Sequence, residues 1–209
     1  MRVAILIYDG FDELDAVAPL EVLRAARDAG CELEVELVTL EDASEVVGSH
    51  GLRVRPDGRL ERGRRPDVLL VPGGGWVARA ARGARAEAER GVIPAALAEF
   101  QRAGCVLASV CTGGMLLASA GLVRGRPAAT HHGAAEDLAA CGAKVVPARV
   151  VDDGDLVTSG GVTSGLDLAL WLVERFCGPE AALAIERRME YERRGTVWRR
   201  RGGAQDGVA

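Results

Sequence analysis

The sequence lacks any cysteine pairing. Its five cysteines, Cys31, Cys105, Cys111, Cys141 and Cys177, are odd in number and share no C-x-x-C spacing. That argues against a disulfide framework and a cysteine-based zinc site, and fits a reducing cytoplasm. No metal and no cofactor are expected. An excess of charge of either sign is also missing. Twenty-six basic against thirty acidic residues leave a formal net charge of -4, which gives no electrostatic case for a nucleic-acid or membrane surface. No apolar run reaches membrane-spanning length. The opening MRVAILIYDG has a single positive charge and no small-residue cleavage site, so it reads as a first strand rather than a signal peptide. Low-complexity blocks, internal repeats and linkers are absent as well, and 209 residues suit one soluble domain with a substantial core.

What is present alternates. Apolar runs at 2–7, 33–40, 67–71 and 105–109 read as strands. Helical spacing follows at 14–30, 77–88, 92–103 and 112–120, then at 134–140, from Thr163 to Phe176, and again after Pro179. VVGSHGLRVRPDGRL suggests a hairpin with His50 exposed at its turn, a short strand is expected near 128–130, and KVVPARVVDDGDLVTSGG contains two strands around an Asp-Asp-Gly turn. Strands alternating with helices imply an α/β fold, a doubly wound, mostly parallel sheet sandwiched by helices. The boundaries expected are an α/β domain over 1–192 and an arginine-rich, mobile tail over 193–209. In ERRMEYERRGTVWRRR glutamates interleave the first arginines, which favours a solvated helix face and frayed end over a nucleic-acid arm.

In such a sheet, ligands gather beyond the carboxyl ends of the strands. Segments Asp9–Asp15, Pro72–Trp76, Ser109–Gly114 and the pair His131–His132 should meet there. Ser109-Val110-Cys111-Thr112-Gly113 is a strand turning sharply into a helix through a small-nucleophile-small sequence, which projects Cys111 into the site. A helix N-terminus at that sulfur would favour thiolate and lower its pKa. Cys31, Cys105, Cys141 and Cys177 fit structural positions better. The glycines after Pro72 free backbone amides for an oxyanion pocket, and neither a Gly-Lys-Ser/Thr nor a G-x-G-x-x-G phosphate pattern is present. Asp12 reads as the N-cap of the first helix. Pro19 removes an amide and crowds the carbonyl of Asp15, so the helix should bend or restart there, leaving Asp15 as a carboxylate at an irregular joint facing the strand ends. His131 or His132 could supply a base, and position does not choose between them.

Five ordered stretches, LDAVAP at 14–19, PGGG at 72–75, SVCTGGMLLASAGL at 109–122, ATHH at 129–132 and VTSGGVTSGLDLALWLVE at 157–174, resemble the ThiJ/PfpI family. That family lies in the class I glutamine-amidotransferase-like superfamily, whose fold is flavodoxin-like. The resemblance runs from residue 2 to about 192 and is strongest to the isonitrile hydratase subgroup and related sensor domains. It implies Cys111 as nucleophile, Asp15 as its acidic partner, Thr112 as a neighbouring hydroxyl and amide donor, and Gly74 as an oxyanion donor, with Gly75, Gly113 and His132 lining the same pocket. It also favours His131 as the histidine nearest the thiol, and it implies a homodimer.

Three departures stand out: Thr130-His131-His132 where many hydratase-type relatives carry Thr-His-Trp, Trp76 after the glycines, and the Ala/Arg-rich segment 77–91. A glutaminase triad is not expected, since Gly133 and Ala134 occupy the positions two after the histidines. The activity expected is hydration or hydrolysis of a small electrophile, an isonitrile first and a ketoaldehyde second, with oxidant sensing through Cys111 as the non-catalytic alternative. A regulator's sensor domain is disfavoured, because about 30 residues after the long helix leave no room for a helix-turn-helix module.

Overall fold

The computed structural model describes residues 1–61 and 63–200. Its strands are β1 (Arg2–Leu6), β2 (Glu34–Thr39), β3 (Val46–Val47), β4 (Arg53–Val54), β5 (Gly58–Arg59), β6 (Val68–Val71), β7 (Val106–Ser109), β8 (Pro127–Ala128), β9 (Lys144–Val145), β10 (Val150–Asp152), β11 (Leu156–Ser159) and β12 (Trp198–Arg199). The helices between them are α1 (Glu13–Asp28), α2 (Ala84–Arg90), α3 (Val92–Arg102), α4 (Gly113–Ser119), α5 (Ala135–Ala140), α6 (Ser164–Cys177) and α7 (Pro179–Met189). Eight strands form one sheet in the order β12-β10-β11-β7-β6-β1-β2-β5. Among the described residues only β10 against β11 is antiparallel in it.

The sheet centre consists of continuous apolar strands, as a sheet covered on both faces requires. Residues of β6 and most of β1 and β7 are buried to the last side chain. Helices α1, α6 and α7 pack on one another, and α2, α3 and α4 form a second group. The expected architecture is therefore found, with the hairpin of β3 and β4 as an excursion beside it.

Register decides where the loops go. Val71 lies opposite Ser109, and Ser109 opposite Thr158. Three loops therefore leave adjacent strands at the same level: Pro72–Gly75, Val110–Thr112 and Gly160–Val162.

The structure corrects three local expectations. The helix read over 77–88 begins only at Ala84, because residues 76–83 form a turn that seats Gly83 against Gly10 and Gly74. A Cβ on Gly83 would lie 2.6 Å from the Gly74 carbonyl oxygen. Helix α1 runs from Glu13 to Asp28 without restarting at Pro19. The proline ring rests instead against bare Gly165 of α6, where an added Cβ would come within 3.4 Å of its Cδ. Residues 193–200, read as the start of a mobile tail, are part of the fold. Arg193 pairs with Glu174 and Glu186, the Arg194 amide donates to Asp167 at 2.9 Å, and Trp198–Arg199 extend the sheet beside β10. Residues 201–209 of that tail lie outside the described residues.

Candidate active site

Cys111 occupies the joint between β7 and α4 in a left-handed conformation, φ +56°. A non-glycine residue held there is strained, and the surroundings over-determine it. Its amide donates to the Gly160 carbonyl at 2.9 Å, and its own carbonyl accepts from the Thr130 hydroxyl at 2.9 Å. Gly113 permits the turn, since a Cβ at that position would stand 2.1 Å from the Val71 carbonyl oxygen.

Asp15, on the first turn of α1, is fully buried beside this joint. Two hydrogen bonds dock the start of α1 on the glycine loop: the Asp12 amide donates to Gly73 O at 2.8 Å, and the Gly73 amide donates to Asp15 Oδ2 at 2.9 Å. The other oxygen, Oδ1, is buried with no hydrogen-bond partner among the described residues, and the carboxyl as a whole is close enough to interact with the Cys111 thiol. Asp12 caps the helix by accepting from the Leu14 amide. Asp15 does not cap and is free to face the sulfur.

Burial, with the nearby Asp12 charge, pushes the Asp15 carboxyl up to about 8, so it keeps its proton at neutral pH. Burial likewise pushes the Cys111 thiol up to about 12, with the Asp15 charge as the second cause. The lowered thiol pKa expected from the helix N-terminus is thus overturned by desolvation. The amides of Val162 and Thr112 hydrogen-bond the sulfur and oppose that rise. A protonated Asp15 also removes its own charge from beside the sulfur and offers it a hydrogen bond, which shifts the balance back toward thiolate.

The oxyanion expectations divide. The Gly74 amide is taken by Thr112 Oγ1 at 2.9 Å, and the Gly113 amide by Val110 O at 2.9 Å, so neither is free to receive a developing charge. Among the described residues the Gly75 amide has no partner, while its carbonyl accepts from Ala80. Thr112 therefore contributes twice, its hydroxyl bracing the glycine loop and its amide facing the sulfur. The loop is also fixed from below: the buried Tyr8 hydroxyl donates to Pro72 O at 2.6 Å.

Among the described residues no hydrogen bond joins either histidine to the Cys111 sulfur. His131 Nδ1 accepts from the Gly133 amide at 3.1 Å, and its ring lies over bare Gly161, where a Cβ would stand 2.6 Å from Cδ2. Burial lowers its pKa, so it is neutral at neutral pH. His132 is exposed and packs on His131 with ring centroids 4.2 Å apart. Trp76 leans away toward α5, donating to Asp137 at 2.7 Å with the Arg85 guanidinium over its ring.

Val162 and Tyr8 were not singled out from the sequence. The TSGGVTS stretch was the available signal for Val162, whose φ of +40° is unusual for a β-branched residue.

The sequence pattern of the DJ-1/PfpI family matches residues 1–175. The chain belongs to the DJ-1/PfpI family. It is 34% identical over 195 residues to the isonitrile hydratase of Pseudomonas putida, an alignment covering 91% of this chain and 78% of that protein. It is 32% identical over 161 residues to a deglycase of Pyrococcus abyssi, covering 76% of this chain and 89% of the relative. A crystal structure of a ThiJ/PfpI family protein from Pseudomonas syringae superposes with a TM-score of 0.79 at 28% identity, covering 93% of this chain and 76% of that one. These relatives place the chain among proteins that include small-molecule enzymes. No described helix is long and apolar enough to cross a membrane.

Proposed function

We propose that the protein is a cysteine-dependent hydratase of small electrophiles, that its substrate is an isonitrile, and that Cys111 is the nucleophile with Asp15 as proton donor. The observation that carries this reading is the placement of Asp15, a fully buried carboxyl on the first turn of α1 beside Cys111, whose burial favours the protonated form. An isonitrile presents one terminal carbon that must receive both a nucleophile and a proton, and Asp15 is a carboxyl that holds its proton to about pH 8 while facing the thiol. The thiol sulfur bonds to that carbon as Asp15 delivers its proton to it and takes the thiol proton in exchange, giving Cys111–S–CH=N–R with Asp15 protonated again. Water then bonds through oxygen to the same carbon while Asp15 protonates the nitrogen and takes a proton from the water, giving Cys111–S–CH(OH)–NH–R. The C–S bond breaks as the hydroxyl proton passes to the sulfur, and R–NH–CHO is released. The sum is isonitrile plus water to N-substituted formamide, with no metal or cofactor in any step. The similarity to an isonitrile hydratase supports the assignment.

A second reading is a glyoxalase-like or deglycase activity on ketoaldehydes through a hemithioacetal at Cys111, favoured by the deglycase relative. Purified protein and Cys111→Ala are to be assayed against an alkyl isonitrile and methylglyoxal. Formamide production that disappears in Cys111→Ala is expected. Turnover of methylglyoxal alone would replace the first reading with the second. Turnover of neither, with Cys111 gaining oxygen under mild peroxide, would leave oxidant sensing in their place. The cytoplasm is the proposed location. The working form proposed is a homodimer joined through the exposed Leu14 and Val17 of α1, which sedimentation of the wild type against Val17→Glu tests.

A further inference from the structure

Two cysteines outside the site come together although they lie 146 positions apart in sequence. Cys31 follows the C-terminal end of α1, where its amide bonds to Ala26 O at 3.0 Å, and Cys177 is the last residue of α6. Both are partly buried against the same core and carry free thiols. Pro19 of α1 rests on Gly165 of α6, so the two helices lie side by side in a register that carries their C-terminal ends, and with them Cys31 and Cys177, toward each other. The Cys31 sulfur is among the groups that raise the Cys177 pKa. Spacing along the chain gave no hint of this contact. It arises because α1 and α6 pack side by side.

We propose that Cys31 and Cys177 form an intramolecular disulfide when the protein meets a peroxide, fastening the C-terminal ends of α1 and α6 to each other. Both cysteines sit where the backbone can adjust to the short sulfur–sulfur bond. Gly30, at φ +102°, precedes Cys31, and Gly178, at φ +93°, follows Cys177, so neither thiol is set in the middle of a rigid element.

The chemistry balances in two steps. One thiol is oxidised by hydrogen peroxide to a sulfenic acid with release of water. The neighbouring thiol then attacks that sulfur, forming the S–S bond and releasing a second water. Burial and the adjacent Cys31 sulfur push the Cys177 thiol up to about 12, which disfavours its own oxidation and leaves Cys31 as the thiol that meets the peroxide. Cys177 gives up its proton as it attacks, and that proton leaves with the sulfenic hydroxyl as water.

The position gives the bond a consequence. Helix α1 carries Asp15 near its other end, and α6 begins two residues after Val162, whose amide holds the Cys111 sulfur. The cross-link would thus tie together the far ends of the two helices that frame the site. Its chemistry is independent of the reaction proposed for Cys111.

The test uses the full chain and the Cys111→Ala variant, each treated with hydrogen peroxide, blocked with iodoacetamide and digested with trypsin without reduction. The expected product is a peptide containing Cys31 joined to one containing Cys177, present in both proteins and lost after dithiothreitol. The thermal midpoint should rise by roughly 5–10 °C on oxidation, the scale expected for closing a long loop. The rise should be missing in Cys31→Ser and Cys177→Ser. Should either variant fail to fold, the linked peptide from the unsubstituted chain decides alone. Recovery of both cysteines as separate alkylated or oxygenated peptides overturns the proposal, as does Cys31 or Cys177 linked to any other cysteine, including one from a second chain.

Discussion

The amide of Val162 hydrogen-bonds the sulfur of Cys111, and both residues are left-handed, at φ +40° and +56°. Each such conformation costs on the order of 1–3 kcal/mol in a non-glycine residue. The two are braced by one loop, since Cys111 returns a hydrogen bond from its own amide to Gly160 O. The strain buys a sulfur aimed at Asp15, with two backbone amides beside it.

If the amide of Val162 matters and its side chain does not, Val162→Gly should keep the function and relieve the strain. Alkylation of Cys111 by iodoacetamide should then proceed within about twofold of the wild-type rate, with stability unchanged or higher by up to ~1 kcal/mol. A tenfold slower alkylation would assign the role to the isopropyl group.

Asp15 should make the fold less stable as pH rises. Its pKa is raised from the ordinary 3.8 to about 8 in the folded chain. Below about pH 4 both states carry the proton. Between the two values the unfolded chain releases it while the folded chain cannot, so stability declines until about pH 8 and then levels. Asp15→Asn lacks this dependence and still offers an oxygen to the Gly73 amide. Urea denaturation should find the variant more stable than wild type at pH 8, with the gap closing toward pH 4. A gap that is constant with pH would contradict a protonated Asp15.

Thr112→Val removes the oxygen that accepts from the buried Gly74 amide. An unsatisfied buried amide costs about 1–3 kcal/mol, so chemical denaturation should show a loss of that size. The glycine loop should also loosen, lowering turnover while Cys111 remains available for alkylation.

His131→Ala should lower kcat by less than about tenfold, because no hydrogen bond joins His131 to Cys111 and its Nδ1 serves the Gly133 amide. Loss of a general base beside the thiol would instead cost about 100-fold or more, and steady-state rates distinguish the two.

Side-chain patterns carried most of this architecture. The apolar runs of β1, β6 and β7 and the small-Cys-small joint at Cys111 are visible because residue type determines them. Asp15 was suggested by Pro19, although the reason differed: the proline packs on Gly165 rather than interrupting α1. The Val162 contact was hidden because an amide is supplied equally by any residue except proline. The capture of the Gly74 amide by Thr112 depends on two loops meeting from distant strands, and the thiol pKa depends on burial, which helix position alone does not report. The edge strand at Trp198–Arg199 is anchored by Asp167 and by the partners of Arg193, contacts that an arginine-rich composition conceals.

The most direct test of the central claim is the rate of formamide release from an alkyl isonitrile between about pH 5 and 10, for wild type, Cys111→Ala and Asp15→Asn. The account predicts a wild-type rate that falls above about pH 8 as Asp15 loses its proton. It also predicts no release from Cys111→Ala, and a rate at least about 100-fold lower, without that falling limb, from Asp15→Asn. Formamide release by Cys111→Ala, or a wild-type profile matched by Asp15→Asn in height and shape, would contradict it.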